Sequence, residues 1–90
     1  MQNTARISNS GKIYPNPNSG TMQFDYSLDE DHTGSLQVYD LSGKLLRNYQ
    51  LEQGSNSLQL YLEELDNGIY LYQFIINGEM KSSDKLIIIK

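Results

Sequence analysis

The chain has 90 residues, no cysteine and a formal net charge of −4. That length makes one domain with a modest core, and the missing cysteines remove disulfides, thiol nucleophiles and thiolate metal sites together. The acidic balance argues against a nucleic-acid partner, which needs a basic face; the longest aliphatic run, LIII, is far below the ~18 residues of a membrane span, so no membrane insertion is expected.

Residues 1–12 are polar, rich in Asn and Ser, and without periodicity, the composition of a linker or disordered arm. They lack the apolar stretch of a signal peptide. The domain itself is expected over 13–90, after a short apolar beat, KIY, that suits a first edge strand. PNPNSG then breaks the chain. Pro15 and Pro17 fix their own φ and cannot donate to a ladder, so they belong at an edge or outside the sheet. Asn18, Ser19 and Gly20 supply turn chemistry.

TMQFDYSL alternates strictly, with Met22, Phe24, Tyr26 and Leu28 on one face, the period of a half-buried strand. DEDHTG reads as a polar turn. SLQVYD places Leu36 and Val38 on a core face. DLSGK predicts a tight hairpin with Gly43 in the left-handed conformation. KLLRNYQL returns, with Leu45, Tyr49 and Leu51 on one face, Arg47 between them and Leu46 alone on the other. EQGSN reads as a turn. SLQLYL then points Leu58, Leu60 and Leu62 inward. Leu58, Leu62 and Leu65 also recur at helical spacing, but that stretch is short, uncapped and followed by Asn-Gly. GIYLYQFII carries apolar residues on both faces, as a central strand does. Asn77–Gly78 suits a two-residue type I′ turn, and DKLIIIK closes the sequence as a buried, β-branched strand. About seven strands at regular spacing predict an all-β, Ig-like antiparallel β-sandwich.

Little in this pattern carries chemistry. His32 lies among Asp29, Glu30 and Asp31, but one imidazole without a second His or Cys is a poor transition-metal site. The acidic spacing does not match an EF-hand. Neighbouring Glu63 and Glu64 point apart on extended backbone. No serine sits in a nucleophile elbow, and the glycines are scattered at turns rather than gathered in a phosphate loop. No enzyme, cofactor or metal is expected. Tyr39 and Tyr61 face outward and offer stacking surfaces for sugars, which keeps an Ig-like binding or adhesion module for carbohydrate as the alternative reading.

The segments YPNPNSG, LQVYDLSGKLL, QGSN, LDNGIYLYQF and KLIIIK, in that order, resemble the type A C-terminal sorting domain of the type IX secretion system in Bacteroidota. The resemblance spans roughly Ile13 to Lys90. It implies a non-catalytic secretion address that follows an N-terminal passenger protein. The passenger would transit the periplasm, engage the type IX outer-membrane translocon, and reach the cell surface or the medium. A sortase-like cysteine protease would remove the domain, with attachment of the passenger to the surface as a further implied step. Pro15, Asn16, Pro17 and Gly20 match the opening motif; Asp40, Gly43 and Lys44 match the central hairpin. Gly68 and Tyr70, with Lys85, Leu86, Ile87, Ile88, Ile89 and Lys90, match the region implied in translocon recognition. Exposed strand edges leave room for a homodimer by edge pairing or strand exchange, which the sequence does not decide.

Overall fold

The computed structural model describes residues 10–90, which form seven strands: β1 (Ser10–Tyr14), β2 (Thr21–Leu28), β3 (Gly34–Tyr39), β4 (Leu45–Leu51), β5 (Gly54–Tyr61), β6 (Gly68–Ile76) and β7 (Glu79–Ile88). Residues 1–9 of the expected arm lie outside the described residues; its last three, Ser10 to Lys12, already pair in β1. The strands make two antiparallel sheets, ordered β1-β2-β5 and β4-β3-β6-β7. This is the expected all-β sandwich. Its Ig-like order has the fourth strand beside β3 rather than in the sheet of β1 and β2.

The sequence alternation explains the layers. In β2, Met22, Phe24, Tyr26 and Leu28 are all buried, while the residues between them face out. Leu36 and Val38 of β3 and Tyr72, Phe74 and Ile76 of β6 meet them from the other sheet. Phe24 is the centre of the core. Its ring stacks on Tyr26 at 5.4 Å and meets Phe74 edge-on, also at 5.4 Å. Each such buried side chain contributes about 1.5–3 kcal/mol of transfer free energy. Gly11 makes room for this cluster, because a Cβ there would lie 2.4 Å from the Phe24 ring. At the β6–β7 turn, Asn77 and Gly78 both have positive φ, +53° and +83°, as a type I′ hairpin requires.

Three local expectations fail for identifiable reasons. Val38 pairs with Arg47 but Tyr39 pairs with Leu45, so Leu46 is an extra residue in β4. This bulge turns Leu45 outward, away from the face it was expected to share with Tyr49 and Leu51. EQGSN is not a turn throughout: β5 begins at Gly54, directly opposite Leu28, and only Glu52 and Gln53 connect the sheets. The last strand ends at Ile88, and of LIII only Leu86 and Ile88 are fully buried. Strand alternation sends Ile87 to the outer face, and Ile89 is exposed.

Candidate recognition site at one end of the sandwich

The opening motif does more than turn the chain. After Tyr14 the backbone leaves its sheet, crosses to the other and runs beside β7, with Asn18 in a parallel bridge to Ile88. The Asn18 N–H donates to the Ile87 carbonyl at 3.0 Å, and the Ile89 N–H donates to the Asn18 carbonyl at 2.7 Å. Asn16 does the same work with its side chain. Its Nδ2 donates to the Lys85 carbonyl at 2.8 Å, and its Oδ1 accepts from the Ile87 N–H at 2.9 Å. The outer edge of β7 from Lys85 to Ile89 is thus closed by a segment in which two residues, Pro15 and Pro17, have no N–H to give. The peptide bonds before both prolines are cis. The corner therefore links the two sheets, and β1 precedes it.

Asn18 holds this corner from inside. It is buried, its Nδ2 donates to the Pro15 carbonyl at 3.0 Å, and its Oδ1 accepts from the Gly20 N–H at 2.9 Å. Gly20 has φ +111°, and a Cβ on it would stand 3.0 Å from the Glu63 Cα. Its carbonyl accepts from the Leu62 N–H at 2.7 Å, tying the corner to the end of β5.

The terminal region assembles on the same end. Gly68 pairs with Ile88 and Tyr70 with Leu86. The Tyr70 hydroxyl donates to the Asp66 carbonyl at 2.7 Å, which closes the LDNG turn. The Lys90 N–H donates to Asn67 Oδ1 at 3.0 Å, and its ammonium donates to the Glu63 carbonyl. Lys85 is exposed and lies beside Leu71 in register.

The central hairpin reaches this end from β3 and β4. Asp40 Oδ1 accepts from the Ser42 hydroxyl at 2.7 Å, the Lys44 N–H at 2.9 Å and the Ser42 N–H at 3.0 Å. The Ser42 hydroxyl first, then the Lys44 N–H, hold the Asp40 carboxyl below its ordinary value. Gly43 has φ +92°, with open space where a Cβ would go. Since Tyr39 pairs with Leu71 and Gly68 with Ile88, this hairpin, the β5–β6 turn and the end of β7 share one end of the sheet. Arg47 of β4 and Glu64 of the β5–β6 turn form an ion pair there. The opening motif, the central hairpin and the terminal region are therefore gathered at one end, though they lie far apart in the chain; of the segments read from the sequence, QGSN lies at the other end, where Gly54 pairs with Leu28. Asn18 was missed as a site residue. Its turn chemistry was legible, but its partners 70 residues away were not.

The other candidates separate. His32 sits at the opposite end, its Nδ1 3.6 Å from Asp29. Among the described residues no group of acids and histidines gathers to hold a metal. Tyr39 and Tyr61 lie on the outer faces of different sheets, so they form no common stacking platform. Across the β1-β2-β5 face, Asp25 accepts from the Tyr14 hydroxyl, from Gln23 at 2.9 Å and from Ser57 at 2.7 Å. These bonds, the Tyr14 one first, hold the Asp25 carboxyl below its ordinary value; the Tyr14 phenol is raised by the same bond.

No curated protein and no solved structure matches the chain significantly. A family model described as the secretion system C-terminal sorting domain matches residues 12–90, essentially the whole described sandwich. Its span takes in the opening corner, the hairpin and the terminal strand, the three elements that meet at one end of the molecule. The chain belongs to the secretion system C-terminal sorting domain family.

Proposed function

We infer that this domain, as a member of its family, is a C-terminal sorting signal of type IX secretion, which directs a passenger on its N-terminal side toward the outer membrane or the extracellular space. Domains of this family are in general non-catalytic. We propose the finer course of events as follows. The passenger and its folded tail transit the periplasm, and the outer-membrane translocon engages the motif end of the sandwich. Lys85 to Lys90, Gly68 and Tyr70 form the centre of that contact; the opening corner and the DLSGK hairpin flank it. A sortase-like cysteine protease then cuts in the arm, residues 1–12, ahead of the domain at 13–90, and the passenger is released or attached to the surface.

The observation that supports this reading is the clasp of Asn16 and Asn18 on β7, which joins the opening and terminal motifs into one surface. The test is a fusion of residues 1–90 to the C-terminus of a periplasm-directed fluorescent protein, so that both the arm and β1 stay whole. Expression in a host with a working type IX system, and in a translocon-deficient partner strain, is followed by fractionation and sizing of the product. Surface or medium fluorescence only in the working strain, with the domain removed, is the expected result. Folded fusion trapped in the periplasm of both strains would overturn the proposal.

A further inference from the structure

The outer strands of the two sheets are not equally safe edges. An open edge offers unpaired N–H and C=O groups to any extended chain. β1 has only five residues, and β4 is broken by the bulge at Leu46. β5 alternates Leu58 and Leu60 with polar residues. β7 is different. It is the longest strand, ten residues, it ends its sheet, and it runs into the aliphatic stretch Leu86–Ile89. Uncharged, β-branched runs of this kind readily add to copies of themselves. Yet on this edge every outward-pointing backbone group from the Lys85 N–H to the Ile89 N–H is taken, and none by a strand. The Lys85 N–H donates to the side chain of its neighbour Asp84 at 2.8 Å. Asn16 turns one side-chain amide on the Lys85 carbonyl and the Ile87 N–H, as a peptide group of an added strand would. The Asn18 main chain takes the Ile87 carbonyl and the Ile89 N–H. Pairing stops there, because Pro15 and Pro17 have no N–H to pass to a further strand.

We propose that the corner is a removable cover over a self-pairing edge. While seated it keeps the domain from associating; when it lifts, residues 84–90 pair antiparallel with the same residues of a second copy. The edge itself selects that occupant. The covered groups belong to Lys85, Ile87 and Ile89, so these residues take the hydrogen-bonded positions of an added antiparallel strand. A two-fold pair centred on Ile87 sets Lys85 against Ile89 of the second copy, as that alternation requires. The same register sets Asp84 against Lys90 at both ends, two pairs of opposite charge, and Leu86 against Ile88 between them. Centring on Leu86 puts Asp84 against Ile88, and centring on Ile88 puts Leu86 against Lys90; both lose the charge pairs. Charge and apolar pattern therefore match this segment to itself in one register.

The test compares the 90-residue chain with its Asn16→Ala variant by analytical ultracentrifugation, after thermal melting shows both to be folded. Asn16→Ala strips the cover of its side-chain bonds to Lys85 and Ile87. Dimers of the variant then form at a concentration about tenfold lower than in the wild type. Asn16→Asp keeps the acceptor for Ile87, loses the donor for Lys85, and falls between the two. Lys90→Asp added to Asn16→Ala sets like charges together and undoes the shift. Because the chain has no cysteine, Ile87→Cys gives a clean reporter: at the two-fold centre the paired Cα atoms lie about 5.5 Å apart, within disulfide reach. Oxidation links the Asn16→Ala dimer through position 87 and not through Ser83→Cys, which lies off the paired stretch. Folded Asn16→Ala and Asn16→Asp variants that associate no more readily than the wild type would overturn the proposal. So would dimers that cross-link at position 83 and not at 87, since another edge or register would then form the interface.

Discussion

Replacing Asn18 by alanine isolates the contribution of the corner. The side chain satisfies the Gly20 N–H at 2.9 Å and the Pro15 carbonyl at 3.0 Å, and both Asn18 and Gly20 are buried. Truncation leaves the Gly20 N–H without its acceptor in a site closed to water, which costs about 1–3 kcal/mol. The Pro15 carbonyl lies on an exposed residue and turns to solvent, so its lost bond adds at most about 1 kcal/mol. The total is about 1–4 kcal/mol, or a melting temperature lower by roughly 5–30 °C in a domain of this size. Asn16→Ala is the matched comparison, because Asn16 bonds the strand edge from an exposed position. It costs about 1 kcal/mol. Urea denaturation gives the two losses, and amide exchange assigns them: the Gly20 amide exchanges faster in Asn18→Ala, the Ile87 amide faster in Asn16→Ala. Equal losses in the two variants, or an Asn18→Ala loss below about 1 kcal/mol, would refute a buried keystone at this corner.

Other expectations follow from the same geometry. Gly20→Ala places a Cβ against the Glu63 backbone at φ +111° and destabilises by about 1–3 kcal/mol, measured by thermal melting. Leu86→Ala empties a fully buried site and costs about 2–5 kcal/mol, whereas Ile89→Ala stays within about 0.5 kcal/mol; similar values for the two would mean that β7 is not seated as described. Lys90→Ala keeps its backbone bond to Asn67 and leaves stability nearly unchanged, so any loss of export separates recognition from folding. Asp25 and Asp40 both lie below their ordinary carboxyl values when folded. Their stabilisation is present above the ordinary carboxylate range and is lost as pH falls through the folded values. Acid titration of melting should therefore show a shallower decline in Asp25→Asn and Asp40→Asn than in the wild type.

Where the pattern was local, the sequence alone was sufficient. The two-residue period in TMQFDYSL and GIYLYQFII placed Phe24, Phe74 and their neighbours in the core because a strand with one dry face must alternate. The Asn-Gly turn was legible because few residues accept positive φ. The bulge in β4 was not, since the doubled leucine of KLLRNYQL permits either register until β3 is in place. Nor was the start of β5, where Gly54 and polar neighbours look like a turn and only pairing with β2 makes them a strand. The site was legible as a set of segments and not as a place. Nothing near Asn16 in sequence announces that its acceptor and donor are Lys85 and Ile87.

The clasp of Asn16 on Ile87 spans 71 positions. Such a contact has an order in time. A corner that takes its hydrogen-bond partners from residues 85–89 cannot settle while those residues are still unmade, however early PNPN itself is synthesised. Closing so long a loop carries a large entropic toll and delays the contact until intervening strands have paired. The first motif of the domain is therefore completed by its last one. A chain cut short before Lys85 keeps the prolines and the turn but leaves the corner unlatched, so proteolytic sensitivity at residues 15–20 reports directly on whether β7 is present and seated.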